Sequence, residues 1–201
     1  MSETNRILLT GTAAAPAIYS HTVLGEAFYS LPLSVLRTSG TEDLLNVTVS
    51  DRLLGDLPVE EGLRFTAAGQ IRSYTRHTER GNRLAVTVFA REFIPVGEDE
   101  PDVNDAELTG TVLHPVIRRV TPLEREIADV MLGVRRHYGK SDHIPAIVWG
   151  RNARFLADTP AGTLLHVRGR LQSREYRKLH EDGTVETRTV YEVSCMTVEP
   201  V

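Results

Sequence analysis

The residues best suited to chemistry lie between Thr163 and Lys178, TLLHVRGRLQSREYRK. Successive side chains of a strand point to opposite faces. One face here carries Leu165, Val167, Gly169 and Leu171; the other carries His166, Arg168, Arg170, Gln172, Arg174 and Tyr176. Guanidinium forks bind anionic oxygens and lie flat on planar groups, and a tyrosine ring adds a stacking face. Such chemistry holds a ligand without breaking bonds. The sequence contains no HExxH, CxxC or GxSxG, and its seven histidines lack i, i+4 spacing. Gly133–Ser141 imitates a phosphate-binding loop, but it has five residues between its glycines and falls on a strand and hairpin instead of preceding a helix. The expectation is a binding protein, not an enzyme, with no cofactor and no metal.

Bulk charge alone does not announce an anionic partner, since the 201 residues carry a net charge of −4. Its distribution is uneven. Residues 1–100 hold 9 Lys+Arg against 13 Asp+Glu, and residues 101–201 hold 14 of each, so an anion-binding face belongs in the second half. A single cysteine, Cys195, excludes an intrachain disulfide and a cysteine metal cluster. No apolar run suits a signal peptide or a bilayer span, so a cytoplasmic protein with no membrane association is expected.

The arginine strand has a degenerate copy about a hundred residues earlier. Leu9-Thr10-Gly11-Thr12 recurs as Leu108-Thr109-Gly110-Thr111, and the same offset carries Leu33, Val35, Arg37 and Gly40 onto Leu132, Val134, Arg136 and Gly139. Asp43, Val49 and Arg52 fall on Asp142, Val148 and Arg151; then Gly62, Gly69 and Ser73 fall on Gly162, Gly169 and Ser173, and Val88-Phe89 on Val190-Tyr191. The matches keep their order and shift only where insertions fit in loops, which marks a duplication.

Gly97–Asp102 is acidic, contains Gly and Pro and lacks apolar periodicity. It reads as a linker over 97–103 between domains at 4–96 and 104–200. In the second copy, Glu107–Leu113, Glu126–Arg136, His143–Trp149, a strand from Thr163 and Val185–Val198 alternate as strands, with a short helix at Asn152–Ala157. The first copy repeats this with Glu26–Arg37, Leu44–Val49, a helix near Arg52–Leu57, Leu63–Arg76 and Leu84–Ile94. Turns are expected at Arg80-Gly81-Asn82 and Glu181-Asp182-Gly183. Gly69 and Gly169 sit in mid-strand, where a small barrel must bend. The expected fold class is all-β: two tandem OB-fold five-stranded barrels, each with a short helix between strands 3 and 4.

The second copy, from NDAELTGT through AIVWGRNARFLA, GTLLHVRGRLQSREY and TVYEVSCMTVE, resembles the bacterial single-stranded DNA-binding protein (SSB) family, as does Asn5–Gly11 in the first. The resemblance implies sequence-independent single-stranded DNA binding in replication, recombination or repair, by rings that stack on bases and arginines that meet phosphates. Matched residue by residue, the rings are Trp149, Tyr138, Tyr176 and His143; Arg168, Arg170, Arg174, Arg136 and Lys178 complete the candidate site. The first copy has Ser50, Ser39 and Leu44 where the second has Trp149, Tyr138 and His143, so its face is expected to be weakened, with Tyr74, Arg72 and Arg76 as remaining candidates. The family's acidic C-terminal tail has no counterpart after Met196–Val201, which leaves tail-mediated partner recruitment in doubt. Family assemblies present four OB-folds, so a homodimer is expected. A primosome-like OB adaptor, or a scaffolding paralogue with weak or no DNA binding, is the alternative.

Overall fold

The computed structural model describes residues 4–79, 81–136, 138–180 and 182–201. The expected turn residues Arg80 and Glu181 lie outside them. The elements are β1 (Asn5–Ala13), β2 (Ile18–Val23), β3 (Glu26–Leu36), β4 (Glu42–Ser50), α1 (Asp51–Leu54), β5 (Arg64–Thr78) and β6 (Gly81–Pro95). They recur as β7 (Val103–Val112), β8 (Ile117–Val120), β9 (Glu126–Arg135), β10 (Ser141–Trp149), α2 (Gly150–Phe155), a 3₁₀ turn (Leu156–Asp158), β11 (Leu164–Leu179) and β12 (Val185–Pro200).

Apolar alternation builds each strand. In β4 the side chains of Leu45, Val47 and Val49 point inward and are buried, and their counterparts in β10 are Ile144, Ala146 and Val148. β-branched residues suit this half-buried pleat. One sheet runs β2-β3-β4-β6-β5-β1-β7-β11-β12-β10-β9-β8, and the extra pairings β3–β1 and β7–β9 close it into two barrels. These are tandem OB-folds, each with its helix between the strands that the sequence indicates. β2 and β8 are added edge strands, exposed along their whole length. The bends fall where the glycines predict: β5 slips register between Ala68 and Gly69, and β11 between Arg168 and Gly169. Just past each bend an asparagine side chain replaces a missing strand neighbour. Asn5 Nδ2 donates to the Ile71 carbonyl at 2.8 Å and its Oδ1 accepts from the Ile71 N–H at 2.9 Å; Asn104 does the same for Leu171 at 2.7 and 2.9 Å.

Strand pairing and a polar clasp join the barrels near their centre. β1 pairs antiparallel with β7, and the register sets Ile7 opposite Ala106. Those two are repeat equivalents, so a local twofold axis passes between them and the contact is isologous. A reciprocal polar clasp flanks the axis. Asp43, fully buried, accepts from Arg37 Nε at 2.6 Å and from the Ser173 N–H of the other barrel at 2.9 Å, while Ser173 Oγ accepts from the Leu44 N–H at 3.0 Å. Its counterpart Asp142, equally buried, accepts from Arg136 Nε at 2.6 Å and from the Ser73 N–H at 2.5 Å, while Ser73 Oγ accepts from the His143 N–H at 2.8 Å. The segment between the barrels is also tied down: Arg64 donates to Asp102 at 2.7 Å, and Asp102 accepts from the Leu36 N–H at 2.6 Å.

Register corrects one repeat equivalence. Ile71 faces Val88 and Leu171 faces Val193, so Val88 and Phe89 correspond to Val193 and Ser194, not to Val190 and Tyr191.

Candidate nucleic-acid interface

On the second barrel the outer residues of β10, β12 and β11 form rows across the strands. Trp149 ends β10, half-buried beside Ile127, and its indole Nε1 donates to Ser194 Oγ at 3.1 Å. Ser194 faces Arg170, so Trp149 and Arg170 flank one position. Arg170 is half-buried, and its Nε has no hydrogen-bond partner among the described residues. Burial, followed by the nearby charge of Arg37, lowers its pKa from the ordinary guanidinium value.

Further along β11 the Arg174 guanidinium lies 5.9 Å from the Tyr176 ring centre and 3.7 Å from Glu192. Arg168 is exposed, 3.6 Å from Asp105, and Lys178 is exposed on the outer arm. Tyr138 stands in solvent at the turn after β9 with a positive φ of 78°. His143 is exposed at the opposite end of β10 from Trp149. The structure thus brings together Trp149 with Arg170 and Arg174 with Tyr176, while Tyr138 and His143 stand apart from both.

Arg136 has another task. Its guanidinium bonds both Asp142 oxygens and the Ser73 carbonyl at 3.0 Å, and the bond to Asp142 raises its pKa. It positions the barrels and has few donors left for a ligand. The missed positioning residues are Arg37, Asp43, Asp142, Ser73 and Ser173. The duplication had already signalled them, since polar residues repeated at inward or mid-strand positions in both copies need a shared structural reason.

On the first barrel Tyr74 and Arg76 are exposed on β5, and Arg72 lies half-buried with its guanidinium carbon 4.3 Å from the centre of the Phe89 ring. The β5–β6 and β11–β12 arms meet at Glu186, which accepts from Arg83 at 2.5 Å, Arg188 at 2.9 Å and His180 at 2.9 Å. These donors pull its carboxyl down to about 2. No group of three His, Cys, Asp or Glu side chains among the described residues is placed to hold a metal ion, and none of their helices is long and apolar enough to cross a membrane.

Known structures share the whole arrangement. The crystal structure of the wild-type single-stranded DNA binding protein from Thermus aquaticus matches with a TM-score of 0.80 at 20% identity, covering 100% of this chain and 94% of that one. A deletion mutant of the same protein matches at 0.74 and 20% identity, over 99% and 95% of the two chains. The N-terminal domain of PriB from Thermoanaerobacter tencongensis is 39% identical, covering 47% of this chain and 98% of that one, with a TM-score of 0.42. No curated protein sequence matches significantly. The Thermus likenesses show the fold; residues 103–201 match the single-strand binding protein family itself, and that second barrel belongs to it.

Proposed function

We propose that this chain binds single-stranded DNA without sequence preference, in replication, recombination or repair, as two OB units spanning 4–96 and 104–200 joined by 97–103. The observation that carries the proposal is the row of Trp149 and Arg170 on the barrel that matches the family. A ring beside a guanidinium offers one face to a base and one cation to a phosphate, which is a sequence-blind pairing. Arg174 with Tyr176 offers a second such pair, and Arg168 and Lys178 extend the cationic track. His143 and Tyr138 extend the stacking set at the far end of β10, and Arg136 contributes by holding the barrels in register.

Trp149 is the only tryptophan. Its emission therefore reports on the second barrel alone. Single-stranded oligonucleotide is expected to quench it saturably, and duplex of equal length is not. Stacking is worth about 1–3 kcal/mol per base, so Trp149→Ala is expected to weaken binding by about 5- to 150-fold. Emission unmoved at saturation would remove Trp149 from the site.

The assembly proposed is a homodimer that presents four barrels. The sheet ends on β2 and β8, whose outer edges have no strand partner among the described residues. Ile18 and Tyr19 at one end, and Ile117 and Val120 at the other, are each more than half exposed. Apolar side chains on open edges invite pairing with another copy. Light scattering at micromolar concentration is expected to give twice the chain mass of 22.3 kDa. A monomer would sink the dimer and leave the DNA proposal standing.

A further inference from the structure

We infer that the first barrel carries its own base-binding groove, built from rings moved to neighbouring strands and completed by a cation from the second barrel. The inference rests on the single-strand proposal above. Its starting point is a cross-strand exchange. In the second barrel Trp149 faces Ile127 and lies against Ser194. In the first, the equivalent pair is Ser50 facing Phe28, and Phe89 takes the place of Ser194. The indole is gone from its own position, yet the same spot holds two phenyl rings with centroids 5.6 Å apart. His21 stacks on Phe28 at 5.1 Å and 12°, and the Arg72 guanidinium lies 4.3 Å from the Phe89 ring. Imidazole, two phenyls and a guanidinium thus run in a continuous column. Phe28 is buried within it, while Phe89 is partly open and His21 exposed to the groove. Tyr74 borders the same groove, about half exposed.

Charge separates the two grooves. Where the first barrel has Arg72 facing Thr87, the second has Gln172 facing Glu192. Where the first has Ser30, the second has Asp129, which pairs with Arg119 at 2.5 Å. Glu192 also draws Arg174 to 3.7 Å. Among the described lining residues the first groove has no carboxylate, and it holds Arg72, Arg136 and Lys140. Arg136 is bound to Asp142, but Arg72 has no carboxylate within ion-pair distance among the described residues, and its Nε is buried without a partner. Burial and the facing charge of Arg136 lower the Arg72 pKa. A groove that crowds cations against π-faces without an acid suits one ligand class: a chain of flat bases on a phosphate backbone.

Lys140 comes from the turn between β9 and β10 of the other barrel, which the clasp lays beside this groove; its repeat equivalent is the uncharged Thr41. The first groove therefore takes a lysine from the second repeat that the second groove does not receive in return.

The test titrates the full chain with oligo(dT) of about eight nucleotides, within the range one such barrel covers. Calorimetry is expected to give two sites per chain. Arg72→Gln, which installs the side chain of Gln172, combined with Phe89→Leu is expected to weaken one site by about 5- to 150-fold while saturable quenching of Trp149 persists. Retained quenching shows that the variant is folded; Arg72→Gln alone gives a milder second variant with the same expected direction. Lys140→Ala is expected to weaken the same site and flatten its salt dependence by about one phosphate contact. Two undiminished sites in the double variant, or one site per wild-type chain that is lost with Trp149→Ala, would overturn the inference and leave the single-strand proposal intact. Wild-type protein that takes up no oligonucleotide at low salt would overturn both.

Discussion

Asp142→Ala is expected to destabilise the chain by about 3–5 kcal/mol, the usual cost of removing one partner from a buried ion pair. The carboxylate is fully buried and takes three bonds, two from Arg136 and one from the Ser73 N–H. Removing it leaves a guanidinium in a half-buried site with only the Ser73 carbonyl, and a backbone N–H with no acceptor. The loss falls on the contact between barrels, not on either core. Urea denaturation is therefore expected to split from one transition into two as the barrels lose their mutual support. Asp43→Ala is expected to behave alike, because Arg37 and Ser173 reproduce the geometry across the axis. A loss under about 1 kcal/mol with a single retained transition would show that the barrels do not depend on the Asp142 half of the clasp.

Gly169→Ala is expected to cost about 3 kcal/mol, at the upper end for overpacking. An added Cβ would overlap the Ser194 carbonyl oxygen and come within 2.8 Å of its carbon. Both are backbone atoms of β12, held by the ladder on either side of the bend, so neither can yield cheaply. Gly69→Ala meets the same obstacle at Phe89, with the carbonyl carbon at 2.9 Å. Gly97→Ala is the control: nothing lies within 4 Å, and a change within about 0.5 kcal/mol is expected. Thermal unfolding of the three variants checks the ordering, and a Gly169→Ala chain as stable as Gly97→Ala would refute it.

Much of the fold was legible because inward positions repeat every second residue and the copies keep their order. The glycine bends were legible for the same reason, since a mid-strand glycine in both repeats needs a close backbone approach. β2 and β8 were not: Ile18–Val23 and Ile117–Val120 are exposed throughout, so no buried face imposes an alternation. The last offset misled because Val88-Phe89 and Val190-Tyr191 are similar in type, while ladder register depends on what faces Ile71 and Leu171. The candidate site was legible as residues but not as groupings. A position-by-position comparison records Ser50 against Trp149 as a lost ring. Side chains facing each other across a ladder fill space as a unit, and only the strand pairing reveals that Phe28 and Phe89 refill the vacancy.

The axis between Ile7 and Ala106 has a last consequence, for what substitution can do. In a dimer of identical single-barrel chains, every mutation arrives twice, once on each side of the axis. A change that improves one groove is copied into the other, and a side chain that must differ between the two sides has no gene in which to differ. Fusing the halves lifts that constraint while keeping the geometry that the symmetry created. Position 41 can remain threonine while its mate at 140 is lysine, and 72 can be arginine while 172 is glutamine. The covalent link between the barrels thus separates shape, which stays paired, from surface, which is free to specialise on each side.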